Sequence, residues 1–131
     1  MEAFLEEVRD TLRWVDESDE PLAFDNDGLC CISSELQAYF RLVSNQTRND
    51  VTLSLCQRVA GGEYITILDL VTRSSYYDIS DVTVKADKGV LRFLFEYSKK
   101  SFLSTKVGKV CYEELFDFGM SKLGSNMKIV A

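Results

Sequence analysis

Alternating strand patterns run from about residue 29 to about residue 98 and lie between two amphipathic helical patterns. Alternation of apolar and polar residues is typical of strands that bury one face. The order of these patterns predicts an α+β fold: an N-terminal helix, an antiparallel β-meander of five or six strands, and a C-terminal helix packed on the sheet. The 131 residues, without a repeat or a linker, indicate a single domain over residues 1–131.

The first predicted helix covers residues 2–16. Its apolar side chains recur at helical spacing and form one stripe: Phe4, Leu5, Val8, Leu12 and Val15. Trp14 lies beside this stripe and is expected to cap an edge of the core. The residue before Pro21 leaves the helical region, which ends the helix.

The second predicted helix covers about residues 106–123, with Ser104 or Thr105 as its cap. A buried stripe is expected at Val107, Val110, Cys111, Leu115 and Phe118. Gly124 is a plausible residue after the helix end. The tail at 125–131 either frays or adds a short strand.

Strands are predicted at residues 29–32 and 36–44, followed by two hairpins. In the first hairpin, residues 51–59 and 64–71 flank the loop Gly61-Gly62, which places Leu53 opposite Leu70 and Leu55 opposite Leu68.

The second hairpin joins residues 82–86 to 90–97 and places Val84 opposite Leu91, and Val82 opposite Phe93. Its outer face carries Leu94, which we expect to be exposed. The segment 73–81 between the two hairpins is either a loop or a short helix.

Charge is unevenly distributed along the chain, whose net charge is −6. Residues 1–28 carry −8, and residues 85–109 carry +5. The two segments either form solvated faces that pair with each other, or one of them steers a charged partner. The basic segment is short and lacks arginines interleaved with aromatic residues, so nucleic acid is not an expected partner.

The sequence offers little catalytic chemistry. It contains no histidine, which excludes every Ser-His or Cys-His arrangement. Residues 25–28 superficially resemble a calcium loop, but an EF-hand would need an acid at Ala23 and a glutamate at Ser34. We therefore expect a protein that is not an enzyme and that holds no metal and no cofactor.

The cysteine pattern and the N-terminal residues indicate the cellular compartment of the protein. Cys30 and Cys31 are adjacent, Cys56 and Cys111 are isolated, and no CxxC motif occurs, which favours free structural thiols. The N-terminus lacks the basic and apolar regions of a signal peptide, and no apolar stretch approaches the roughly 20 residues that span a bilayer. We expect a cytoplasmic protein without membrane association.

Several patterns together resemble the class I chaperones of type III secretion systems. They are the acidic chain, the N-terminal helix, the run Phe24-Asp-Asn-Asp-Gly-Leu-Cys-Cys-Ile32, the apolar strands at 38–43 and 51–59, and the final helix. That family usually places a long helix after its third strand, whereas residues 63–72 here predict a strand. The resemblance implies a homodimer that keeps the N-terminal segment of an effector extended on its surface, by strand addition and apolar grooves.

Three kinds of function follow from these observations. The first is a protein-binding module, a secretion-chaperone-like homodimer that holds an extended partner segment. The second is an acidic immunity or inhibitor protein that blocks a basic toxin or nuclease site. The third is a small-ligand-binding domain, a carrier or an enzyme, with a pocket between sheet and helix. The candidate partner-binding residues are Glu6, Glu7, Asp10, Asp16, Ile65, Ile67 and Leu94.

Overall fold

A computed structural model describes residues 2–45, 50–74, 78–100 and 107–130. These residues form one N-terminal helix and two four-stranded antiparallel sheets. The predicted α+β class and the antiparallel pairing are confirmed. The predicted meander of five or six strands is wrong, because the strands divide into two sheets of four.

Helix α1 covers Glu2–Ser18 and confirms the predicted N-terminal helix. Val8, Leu12 and Val15 are buried, and Phe4 and Leu5 are partly buried against the core. The stripe therefore faces the sheets as its spacing predicts.

Sheet 1 consists of four strands in chain order, which confirms the strands predicted between residues 29 and 71. The strands are β1 (Leu29–Ser33), β2 (Ala38–Asn45), β3 (Asp50–Arg58) and β4 (Tyr64–Ser74). Ala38 and Phe40 are fully buried on the inner face of β2.

Sheet 2 also follows chain order. Its strands are β5 (Asp78–Asp87), β6 (Val90–Lys100), β7 (Val107–Asp117) and β8 (Lys122–Val130). The segment 73–81 is neither helix nor loop at its two ends, because β4 continues to Ser74 and β5 begins at Asp78. The remaining residues of that segment, 75–77, lie outside the described residues.

The predicted C-terminal helix is wrong. Residues 107–117 pair with β6 over their whole length, and β8 follows after a short turn. In β7, Glu114 and Phe116 are buried while Glu113 and Leu115 are half-buried, which is an alternation of period two. A short apolar run is compatible with a helix or with a strand. Here the pairing with β6 makes it a strand. The predicted caps at 104 and 105 lie outside the described residues.

The first hairpin is present, but its register differs from the prediction towards both ends. The predicted pairing at Leu55 is confirmed, whereas Leu53 lies opposite Val71 rather than Leu70. Each register shift leaves one residue of β4 without a partner in β3, and these residues are Ile67 and Leu70. Such bulges add a residue to one strand and break the simple counting that a two-residue loop implies.

The second hairpin is also present, with its register displaced by two residues. Val84 lies opposite Phe93 and Val82 opposite Phe95, where the pattern predicts Leu91 and Phe93. A displacement of two residues keeps every side chain on its face. Val84, Leu91, Phe93 and Phe95 are therefore buried together.

The core lies between the inner faces of the two sheets. Phe93 of β6 meets Phe40 of β2 edge to face, with 5.0 Å between ring centroids. Phe116 of β7 packs on the same Phe93 ring at 5.9 Å. Because the contact between Phe40 and Phe93 joins sheet 1 to sheet 2, the two sheets form a sandwich around one aromatic centre.

One side of the sandwich is closed by α1. The helix packs against β1 and β5, which are the first strands of the two sheets. The segment after the helix also adds a backbone bridge from Leu22 to Val84 on β5. The outermost strands on the opposite side are β4 and β8.

Candidate functional site

The described residues provide no metal-binding cluster of three or more Cys, Asp or Glu side chains, and the sequence has no histidine. Within the same described ranges, no helix is both long and apolar enough to cross a membrane.

The adjacent thiols of Cys30 and Cys31 are not arranged for reactivity. All four cysteines are free, and Cys30 and Cys56 are buried. Burial raises the pKa of Cys30 from 9.0 to about 12, and the neighbouring Cys31 adds to the shift. Desolvation also raises the pKa of the exposed Cys31. A raised pKa lowers the thiolate fraction at neutral pH, so neither thiol is an activated nucleophile.

The turn at residues 25–28 is built by Asp25. Its Oδ1 accepts hydrogen bonds from the amides of Asp27 at 2.9 Å and Leu29 at 3.0 Å. The side chain therefore shapes the entry into β1, as the turn pattern predicts.

The predicted acidic residues divide into two groups. Glu6, Glu7 and Asp10 are exposed on α1 and remain accessible to a partner. Asp16 instead accepts hydrogen bonds of 3.0 Å from the amides of Lys88 and Gly89. Asp16 thus joins the end of α1 to the turn between β5 and β6.

The predicted apolar residues do not form one patch. Ile65 is 50% exposed on β4, whereas Ile67 is partly buried against the core. Leu94 lies on β6, in the other sheet, and is half-buried rather than exposed. The structure therefore places the candidate residues on three separate surfaces.

Pairing between the acidic and the basic segment, one of the two alternatives that the charge pattern leaves open, stays a prediction, because the side chains of Lys99, Lys100, Lys106 and Lys109 lie outside the described residues. Among the described side chains, ion pairs join Arg13 with Asp10, Arg92 with Glu113, and Lys122 with Glu114. These three pairs do not join residues 1–28 to residues 85–109. Asp16 does link the two segments, through the amides of Lys88 and Gly89.

The sandwich is open along β8. Met127 lies directly opposite Tyr112 of β7, and paired residues share one face of a sheet. Tyr112 packs against the core, and the Arg73 guanidinium of β4 lies over its ring, 3.3 Å from the centroid. Met127 is on that inner face, yet its side chain is 63% exposed. Sheet 1 therefore covers Tyr112 of β7 but leaves Met127 of β8 uncovered.

A polar group lies beside Met127 on this face. Glu114 is only 3% exposed. The Tyr112 hydroxyl donates a hydrogen bond to its Oε1, and the Lys122 ammonium lies 3.3 Å from its Oε2. Among the described residues, no donor makes a well-aligned hydrogen bond to that Oε2. We call Tyr112, Glu114, Lys122, Ser125 and Met127 the β8 shelf.

No family model matches the sequence, and neither a curated protein nor a solved structure is significantly similar to it.

Sequence reasoning missed the β8 shelf because it assigned residues 106–123 to a helix. On a helix, Tyr112 and Glu114 would not share a face. On a strand they do, and they meet Ser125 and Met127 across the β7–β8 pair. One expectation from the sequence pointed the right way, namely that the tail at 125–131 adds a short strand. A strand there needs a neighbouring strand to pair with, and residues 107–117 are the nearest candidate along the chain.

Proposed function

We propose that the protein is a non-catalytic protein-binding domain that holds an extended segment of a partner protein along the free edge of β8. The observation that carries the proposal is Met127, an apolar side chain on the inner face of a sheet that is 63% exposed. A segment added beside β8 would extend sheet 2 and bring side chains onto this face.

The edge strands of the sandwich differ in whether another element covers them, and this difference supports the proposal. Edge strands expose unpaired backbone groups, and natural proteins cover or interrupt them. The first strands of both sheets contact α1. No described residue pairs with β8 on the side away from β7. Each backbone hydrogen bond to an added strand would contribute about 1 kcal/mol.

Strand β8 is better suited to this role than β4. Bulges at Ile67 and Leu70 interrupt β4. The pairing of β8 shifts only at its beginning, and residues 124–130 then pair with β7 without interruption. A regular edge offers evenly spaced donors and acceptors to an incoming strand, whereas bulges break that spacing.

The β8 strand of a second copy is disfavoured as the added strand in one antiparallel register. An antiparallel pairing that placed Leu123 opposite Met127 of a second copy would also place Lys122 opposite Lys128. Like charges directly opposite each other destabilise a strand pair. A homodimer of the kind implied by the secretion-chaperone resemblance is therefore not expected to pair its β8 strands in this register.

A cytoplasmic location belongs to the same proposal. All four cysteines are free, and Cys31 is exposed, which is typical of proteins in a reducing compartment. A secretion-chaperone role is consistent with strand addition. The final helix that contributes to the resemblance is absent from residues 107–123, which are strand and turn.

The experiment places a photo-crosslinking amino acid at position 127 and, as a control, at the exposed Val43 of sheet 1. We expect position 127 to capture a partner that position 43 does not. A synthetic peptide of the crosslinked segment is then titrated against the wild-type protein and against Met127→Lys and Asn126→Lys.

Met127→Lys should weaken peptide binding at least about tenfold, since burial of a methionine side chain contributes about 1.5–3 kcal/mol. Asn126→Lys adds the same charge at an exposed neighbouring position that points to the other face and should change binding little. Crosslinking of position 127 mainly to a second copy, or equal binding by both variants, would contradict the proposal.

A further inference from the structure

A second surface lies between α1 and the turn after β1, and it is independent of β8. It is a cleft of about 510 Å³ lined by Asp10, Thr11, Trp14, Ile32, Ser33, Ser34 and Glu35. Ile32 is buried. Two separate elements therefore supply the walls, one from the helix and one from the turn between β1 and β2.

Trp14 is the only tryptophan of the chain, and 55% of its surface is exposed. It lines the cleft together with the buried Ile32, and its expected role as a cap on an edge of the core stays a prediction. The ring and cation–π contacts of the described residues do not include Trp14. An indole face available in a cleft is the strongest side-chain partner for a cation.

The charges around Trp14 select a cation. Asp10 lies four residues before Trp14 on α1, and such a spacing puts both on one side of a helix. Glu35 approaches from the other wall of the cleft, and Glu7 lies two turns before Trp14. The surrounding residues 1–28 carry a net charge of −8. An anionic ligand would be repelled from this surface.

One cation of the protein itself competes for the site. Arg13 lies 3.4 Å from Asp10, but both side chains are more than half exposed, at 60% and 69%. An exposed ion pair of this kind contributes at most about 1 kcal/mol. An incoming cation that also contacts Trp14 and Glu35 can therefore displace Arg13 from Asp10.

We propose that this cleft binds a basic side chain, an arginine or a lysine, presented by a protein partner. The cation lies against the Trp14 ring while Asp10 and Glu35 neutralise its charge. Of the acidic residues predicted from the sequence, Asp10 belongs to this site directly and Glu7 flanks it. Asp16 does not belong, because its carboxylate is bound to the β5–β6 turn.

Because Trp14 is the only tryptophan, its fluorescence reports on this site alone. The protein is titrated with short glycine peptides that carry two arginines, two lysines, two citrullines or two glutamates. We expect a saturable change in emission with both basic peptides and none with the neutral or acidic peptides. Raising NaCl from about 0.05 M to about 0.5 M should weaken the response, since salt screens exposed charges.

A matched pair of double variants separates this site from general attraction to an acidic protein. Asp10→Asn with Glu35→Gln removes two charges at the cleft, and Glu6→Gln with Glu20→Gln removes two exposed charges that do not line it. The first variant should lose about fivefold or more in affinity for the arginine peptide, and the second should stay within about twofold.

Equal losses in the two variants, or a response to the citrulline peptide as strong as that to the arginine peptide, would overturn the proposal. So would the absence of any emission change with basic peptides at low salt. The Met127→Lys variant should bind these peptides normally. The outcome is therefore separable from the β8 proposal.

Discussion

The Asp16 carboxylate accepts a 3.0 Å hydrogen bond from the amide of Gly89, across 73 residues of chain. Its other oxygen accepts one from the amide of Lys88. A carboxylate in the last turn of a helix is disfavoured by the helix dipole, and α1 has no basic residue there. The position of Asp16 in the helix is thus unfavourable, and its hydrogen bonds to the β5–β6 turn offset this cost.

Replacement of Asp16 by alanine should destabilise the protein by about 1–2 kcal/mol, because two amides lose a charged acceptor. Urea unfolding followed by circular dichroism measures the difference. The control is Glu6→Ala, at an exposed acid of α1, which should change stability by less than about 0.5 kcal/mol. Equal effects of the two substitutions would show that the contact contributes nothing.

The turn between β5 and β6 offers a stabilising substitution. Lys88 has φ 52° and Gly89 has φ 78°, and a non-glycine residue with positive φ is strained unless it is asparagine or aspartate. Lys88→Asn should therefore raise the free energy of unfolding by about 0.5–1 kcal/mol. Lys88→Gln removes the same charge at the same position but lacks the tolerance of asparagine for positive φ, and it should give no gain.

The aromatic centre joins the two sheets. Phe93→Leu and Phe40→Leu should each destabilise the protein, and the double variant should lose less than the sum of the two. The difference, a coupling energy of about 0.5–1.5 kcal/mol, reports the edge-to-face contact between the rings. A coupling energy near zero would mean that the sheets are not packed at this point.

The buried Cys30 thiol predicts a loss of stability at alkaline pH. Its pKa is about 12 in the folded protein against 9.0 as the ordinary value, so the unfolded chain loses this proton first as the pH rises. The stabilising contribution is complete below pH 9.0 and is lost as the pH rises towards about 12. The slope is at most about 1.4 kcal/mol per pH unit.

Cys30→Ala isolates this effect from the other groups that titrate in the same range. Between about pH 8 and about pH 10, the wild type should lose about 1 kcal/mol more than the variant. Urea unfolding of both proteins at the two pH values measures it. Identical pH dependence would mean that the Cys30 thiol ionises as readily in the folded protein as in the unfolded chain.

The first half of the fold follows from local patterns. The apolar stripe of α1 and the alternation in β1 to β3 each agree with only one kind of element, and both are present. The register of the first hairpin was harder to predict. The bulges at Ile67 and Leu70 change the strand pairing, and no residue type in the sequence marks them.

The second half depends on long-range pairing. The apolar residues of 107–118 fit a helix as well as a strand when taken alone. These residues form the strand β7 because they pair with β6, whose edge would otherwise lack a partner strand. Since the β8 shelf depends on that pairing, Met127 and Glu114 could not be found from local patterns. Trp14 was visible in the sequence, but its exposure depends on where the turn after β1 lies.

Hydrogen exchange of the β8 backbone tests the central claim most directly. The amides of residues 122–130 are followed in the free protein and with the segment captured through position 127. Added strand pairing should slow the exchange of the β8 amides that point away from β7, while the amides of β4 and α1 exchange unchanged. Binding of the segment without added protection in β8, or with protection confined to β4 or α1, would contradict strand addition at this edge.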